Sequence, residues 1–281
     1  MNIIGLGSSG CRISQYLKRY DAYKTYQVDT KNDGYSNFFK VKKQKDHEAY
    51  ERQYTKLNMK LSSDETMLIL SGAGKISGMV LRILQEIDRG DVRVLYIKPR
   101  DADMSKAQKT RHKIVNQVLQ QYCRSNRLKE VTIIDNSKVE ELISDISLDD
   151  YWTPINQMIG DTFHMIDFLK SSEALLKSSN EIPKTAVIST FSLVDFKNLD
   201  EKHLYDLAYP RAKSYYFALG AQFIKENKSI LTDVRQFSSS RQTEKCDCSY
   251  EIHQTEYEQN YVYGYHYASF IQDQEEKLFT D

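Results

Sequence analysis

The chain has 281 residues, 40% of them hydrophobic and 28% charged, which marks a globular protein long enough for one large domain or two ordinary ones. Lys plus Arg total 39 and Asp plus Glu total 39, and this formal neutrality argues against a duplex-binding protein, whose basic excess would meet phosphate. The longest apolar runs are four or five residues, too short for a membrane-spanning helix. The N-terminal Met1-Asn2-Ile3-Ile4-Gly5 lacks the basic-then-apolar order of a signal peptide. Cys11, Cys123, Cys246 and Cys248 form neither a disulfide framework nor a pair of zinc-spaced couples. We therefore expect a cytoplasmic protein with no membrane insertion, no direct nucleic-acid partner and no metal site.

Short β-branched runs alternate with segments of helical period, the pattern of a parallel sheet with crossover helices. The expected strands are Asn2–Leu6, Thr25–Asp29, Met67–Leu70, Val92–Ile97, Val131–Asp135 and Ala186–Ser189. Residues 31–60 are charged and polar, and we expect one exposed helix and loops there. Ile76, Met79, Val80, Ile83, Leu84 and Ile87 fall on one helical face. A second helix is expected from Ser105 to Tyr122, with Ile114, Val118 and Tyr122 sharing a face. A long third helix carries the stripe Trp152, Ile155, Ile159, Phe163 and Ile166, and Pro154 suits its first turn.

The serine-rich stretch after that helix, closed by Pro183, is the expected domain boundary. It gives a domain over 1–170 that includes the long helix, and a smaller one over 182–281. Within the latter we expect a helix over Phe196 to Leu207 and a strand over Ser214 to Leu219. Tyr261, Tyr263, Tyr265 and Tyr267 alternate, so their rings share one strand face, either half-buried or a base-stacking platform. The acidic end, 273–281, reads as a solvated terminus or a partner-binding tail.

The chemistry is in the glycines. Gly5, Gly7 and Gly10 follow a strand and open a helix, where bare backbone N–H groups and the helix dipole favour phosphate. Ser8 and Ser9 add hydroxyls, and Asp29 ends the next strand where a dinucleotide fold places its ribose acid. A tight turn without ligand remains an alternative. A second cluster, Ser71-Gly72-Ala73-Gly74-Lys75-Ile76-Ser77-Gly78, also joins strand to helix, so two loops on one sheet edge make a broad phosphate site. The order is not that of a P-loop, because Ile76 follows Lys75. His47, His112, His164, His203, His253 and His266 are scattered and suggest no catalytic base.

This order of motifs, from Met1 to about Gly220, resembles the tubulin/FtsZ family of filament-forming GTPases. Gly5 to Cys11 resembles the family's first phosphate loop, and Val28-Asp29-Thr30 the segment after its second strand. Gly72, Ala73, Gly74, Lys75 and Ser77 stand in its glycine-rich signature loop. Asp103, after Ile97-Lys98-Pro99, stands at the ribose carboxylate, and Ile133 to Asn136 at the next strand and loop. Trp152 to Leu169 resembles the long central helix, with Asn156 where the family reads guanine.

The resemblance implies an α/β fold: a parallel Rossmann-like GTPase sheet with helices on both faces, a long central helix and a smaller α+β C-terminal domain. It implies GTP or GDP as ligand, with or without Mg2+, and head-to-tail self-association into filaments, in a compact homologue of the kind a phage or plasmid encodes. Departures are visible. Lys75 and Ile76 replace small residues, and no glycine loop lies between Asp29 and Met67. The family's acidic activating loop resembles Thr190 to Asp195, with Asp195 as the catalytic acid and Ser192 in place of the first carboxylate. GTPase activity is therefore expected to be weak. The alternatives are a non-polymerising regulator or scaffold of the same fold, and an NAD-binding Rossmann oxidoreductase.

Overall fold

A strand flanked on both sides by parallel neighbours must be apolar on both faces, and β1 (Asn2–Leu6) is buried along its whole length. The computed structural model describes residues 1–63, 65–87, 91–143, 146–178 and 186–272. The chain divides into two units, one of Met1–Thr132, Thr185–Ile188 and Ser269–Asp281, the other of Ile133–Lys184 and Ser189–Ala268. In the first unit β1 is followed by α1 (Gly7–Leu17), β2 (Lys24–Asp29), β3 (Phe38–Lys40), α2 (His47–Arg52), β4 (Glu65–Leu70), α3 (Val80–Glu86), β5 (Asp91–Lys98) and α4 (Lys106–Arg124). The spatial order is β3-β2-β1-β4-β5, with every one of these pairs parallel. β6 (Glu130–Asp135) carries the chain into the second unit.

Local chemistry sets the helix boundaries. Ser105 and Gln108 form a reciprocal capping box that starts α4. The buried face of α4 is His112, Val115, Leu119 and Cys123, whereas Ile114 is 50% exposed. The expected stripe Ile114–Val118–Tyr122 is thus one residue out of phase. The cause is that the polar His112, Asn116 and Gln120 lie on the buried side and hide its period. The helix expected from Ile76 begins as a 3-10 turn, Lys75–Met79, before α3 takes over.

The second unit contains α5 (Asn136–Glu140), α6 (Trp152–Ser171), β7 (Leu176–Lys177), β8 (Val187–Val194), β9 (Glu201–His203), β10 (Ala212–Gly220), α7 (Ala221–Glu226), α8 (Ile230–Arg241), β11 (Asp247–Thr255) and β12 (Tyr261–Ala268). Its strands run β8-β12-β10-β11-β7, with β9 antiparallel to β8. Phe217, Phe237, Val234 and Ile252 form the centre of its core, where α8 lies on β11 and its Phe237 meets Phe217 of β10 edge-on. On α6, Ile155, Ile159, Phe163 and Ile166 are buried as expected, while Trp152 is 44% exposed.

No helix forms over Phe196 to Leu207. Asp195 accepts from the Lys197 amide at 2.8 Å and Asn198 from the Asp200 amide at 2.9 Å, so side chains compete for the backbone and turn it into β9. Tyrosines 261, 263, 265 and 267 do share a face of β12, but Val262, His266 and Ala268 on the other face are the more deeply buried. The end of the serine-rich boundary, 179–185, and the acidic end, 273–281, lie outside the described residues. Among the described residues, no helix is long and apolar enough to cross a membrane.

Candidate functional site

In an open parallel sheet, ligands bind beyond the carboxyl ends of strands where the chain's direction of winding reverses. The chain runs from β1 outward through β2 and β3, then returns to the other side of β1 as β4, so the reversal lies between β1 and β4. Leu6 and Leu70, the last residues of those strands, are register partners. The two glycine loops therefore leave the sheet side by side. Among the described residues no side chain caps α1 or the 3-10 turn at Lys75, so first-turn N–H groups are available to an anion.

The glycines divide by task. Gly7 has φ +70°, a conformation that side chains resist. A Cβ on Gly10 would lie 2.2 Å from the Ile69 carbonyl oxygen, so this glycine lets α1 press on β4. Gly72 is closed underneath by the Tyr96 hydroxyl, 2.2 Å from an added Cβ, and that hydroxyl is held by His112 Nδ1 at 2.7 Å. Gly74 differs: it is exposed, its φ is −72°, and the nearest atom to an added Cβ is a methyl 3.8 Å away. Space there is open for a ligand.

Several side chains of the loops are committed internally. Ser77 Oγ donates to the carbonyls of Gly72 and Gly74 at 2.9 and 2.7 Å and clasps the loop. Lys75 Nζ donates to the Lys45 carbonyl at 2.7 Å. The Cys11 thiol is buried and donates to the carbonyls of Gly5 and Val28; burial and the Asp29 charge push its pKa up to about 12. Ser8 is exposed and its hydroxyl donates to Asp29 Oδ2 at 3.3 Å, while Ser9 is half-buried. Asp103 sits exposed on a 3-10 turn after β5. Arg111 on α4 was not anticipated: its Nε donates to the Ala73 carbonyl at 3.0 Å and brings a guanidinium to the second loop. Nothing in the local sequence marks it, because the contact spans 38 residues.

In the second unit, Asn136 is 9% exposed and its side-chain oxygen has no hydrogen-bond partner among the described residues. Asn156 is 7% exposed and is the fifth residue of α6. A buried amide oxygen is ordinarily satisfied, and that of Asn136 is left open to a donor. Trp152 packs edge-on against Tyr151.

No family model and no curated protein matches this chain. Among solved structures, the empty FtsZ dimer of M. jannaschii superposes with a TM-score of 0.68 at 11% identity, covering 95% of this chain and 87% of that one. The GTPγS-form protofilament of Bacillus thuringiensis serovar israelensis TubZ gives 0.66 at 12% identity, covering 95% and 86%. A type III plasmid segregation TubZ gives 0.61 at 14%, covering 95% and 87%. The fold is tubulin/FtsZ-like.

The tubulin/FtsZ-like fold accounts for the parallel sheet and the long α6, and it gives no support to the oxidoreductase alternative. It also sharpens two placements. Asp195 is exposed and follows β8, whereas the segment that directly follows α6, residues 172–178, contains one acid, Glu173. Ser192 is not on a loop with Asp195. It is fully buried in β8, where its hydroxyl donates to Glu201 Oε1 at 2.6 Å and lies 2.8 Å from His266 Nε2. The sequence reading missed that cluster, because its members are separated by up to 74 residues.

Proposed function

We propose that this chain binds GTP or GDP with its two glycine loops and assembles head to tail into filaments, hydrolysing GTP slowly. The observation that carries the reading is the register of Leu6 with Leu70, which starts both loops together at the reversal of the sheet. The free first-turn amides, the open flank of Gly74 and the guanidinium of Arg111 favour phosphate there. Asn156 is assigned to the guanine edge, since an amide can accept from N1–H and N2–H. Asn136 is assigned to the same ligand, Asp29 and Asp103 to the ribose, and Mg2+ accompanies GTP. Solved neighbours that are GTPγS-form and GDP-form protofilaments and multi-stranded filaments of TubZ support assembly. A heterologous contact that does not close on itself propagates as a filament.

A second reading, a nucleotide-binding regulator or scaffold that does not polymerise, is favoured by one observation: the described segment directly after α6, residues 172–178, holds a single acid, Glu173. Among the described residues, Glu173 and Asp195 are the acids we assign as candidates to complete water attack. The test begins with the nucleotide that copurifies, then follows light scattering, electron microscopy and phosphate release with GTP. We expect a guanine nucleotide, filaments, and turnover that rises more than linearly with protein concentration. Asp195→Ala should abolish turnover and keep binding; loss in Glu173→Ala instead would move the role to the segment after α6. Binding with neither filaments nor turnover would establish the regulator, and a nicotinamide nucleotide would overturn both readings.

A further inference from the structure

The second unit contains a polar cluster that the proposed function does not use. Glu201 and His203 come from β9 and His266 from β12, and one ligand atom from each lies within 4.8 Å of the others. Glu201 Oε1 is 2.8 Å from His266 Nε2 and 4.0 Å from His203 Nδ1. These two separations bracket the roughly 3.3 Å expected between ligands around a tetrahedral zinc ion with bonds of about 2.0–2.1 Å. The other carboxylate oxygen, Oε2, is held by the Tyr215 hydroxyl at 2.9 Å and Arg241 Nε at 3.5 Å. That arrangement leaves Oε1 to ligate while its partner oxygen is oriented from behind, as outer-shell groups do for metal carboxylates.

Two further features separate this cluster from an ordinary buried ion network. Gly264 faces it without a side chain: a Cβ there would lie 2.0 Å from Ser192 Oγ, 2.8 Å from His266 Nε2 and 3.2 Å from Glu201 Oε1. The His203 side chain makes no hydrogen bond among the described residues, yet presents its ring to the same carboxylate oxygen that His266 and Ser192 share. Its side chain is 37% exposed, which supplies a path from solvent.

We propose that Glu201, His203 and His266 bind one zinc ion, with the fourth position beside Ser192 Oγ, and that the ion ties β9 to β12. Three N/O ligands with an oriented carboxylate suit Zn2+ among divalent cations. Zinc binds the native unit and not the unfolded chain, so it should raise stability in proportion to the logarithm of its concentration.

The test uses the full chain, stripped with a chelator and then titrated with Zn2+ against a chromophoric competitor. One equivalent should bind, with a rise in the unfolding temperature. Co2+ in its place should give the visible absorption of a tetrahedral N/O site. His203→Ala removes a half-exposed ligand, so the variant should keep its far-ultraviolet circular dichroism, lose at least about tenfold in affinity and lose the cobalt spectrum. Failure of the folded wild type to bind zinc would overturn the proposal, as would unchanged binding in His203→Ala. Thiolate-to-cobalt charge-transfer bands would do the same, because they would place the ion on Cys246 or Cys248. Should His203→Ala fail to fold, the wild-type stoichiometry and cobalt spectrum still decide.

Discussion

At the scale of the residue, glycines that look alike in the sequence do different work. Gly10→Val places its branch against the Ile69 carbonyl and should unfold the first unit. It is therefore a poor test of phosphate contact. Gly74→Val meets no protein atom closer than ordinary contact distance from its Cβ, and its backbone angles suit any residue. We expect this variant to melt within about 2 °C of the wild type, since its stability change should be small. Its affinity for GTP and GDP by calorimetric titration should fall about tenfold or more, equivalent to about 1.4 kcal/mol. Unchanged affinity in the folded variant would remove the second loop from the site. The motif marked both loops, but which glycine borders open space and which faces protein depended on atoms as distant in sequence as Ile69 and Tyr96.

At the scale of the element, α4 shows how periodicity misleads when polar residues are buried. His112 is held by Tyr96, and Gln120 binds the Gln272 backbone, accepting from its amide at 2.6 Å. Their burial moves the core face to Val115, Leu119 and Cys123, while Ile114 faces solvent. Leu119→Ala should cost about 2–5 kcal/mol, as large-to-small changes in packed cores do. Ile114→Asp should change stability by no more than about 0.5 kcal/mol. Chemical denaturation of the two variants beside the wild type checks the assignment, and the reverse ranking would restore the face read from the sequence. The turn after β8 carries the same lesson. Asn198 falls in the stretch expected to be helical, yet it and Asp195 capture backbone amides with their short side chains and stop a helix before it starts.

At the scale of the whole molecule, buried histidines tie stability to pH. Burial lowers the pKa values of His266, His203, His164 and His47 below the free value of 6.5. These groups bind fewer protons folded than unfolded, so their contribution is present above pH 6.5 and is lost as pH falls toward their folded values. Glu201 acts in the same direction lower down. Burial alone would raise its pKa, but hydrogen bonds from His266 and Ser192 outweigh it, and the carboxyl lies well below its free value of 4.5. Unfolding midpoints in urea should therefore hold steady from pH 8 to 7 and fall progressively from about pH 6.5 downward. The His266→Gln variant should show a shallower fall, and an identical profile would mean that His266 is not among the groups responsible.

The parallel sheet, the two glycine loops and the long helix with Asn156 near its start were legible in the sequence. Each is written in neighbouring residues: an apolar run long enough for a strand, glycines at the strand-to-helix turn, a stripe at helical spacing. Tertiary structure alone decided which sides of those loops are open, that Arg111 reaches the Ala73 carbonyl, and that Ser192 is locked in the core with Glu201 and His266. Those contacts join residues 38 and 74 positions apart. No local pattern encodes them, because hydrogen bonds between distant strands and helices depend on sheet order and register, which are settled only when the whole unit packs.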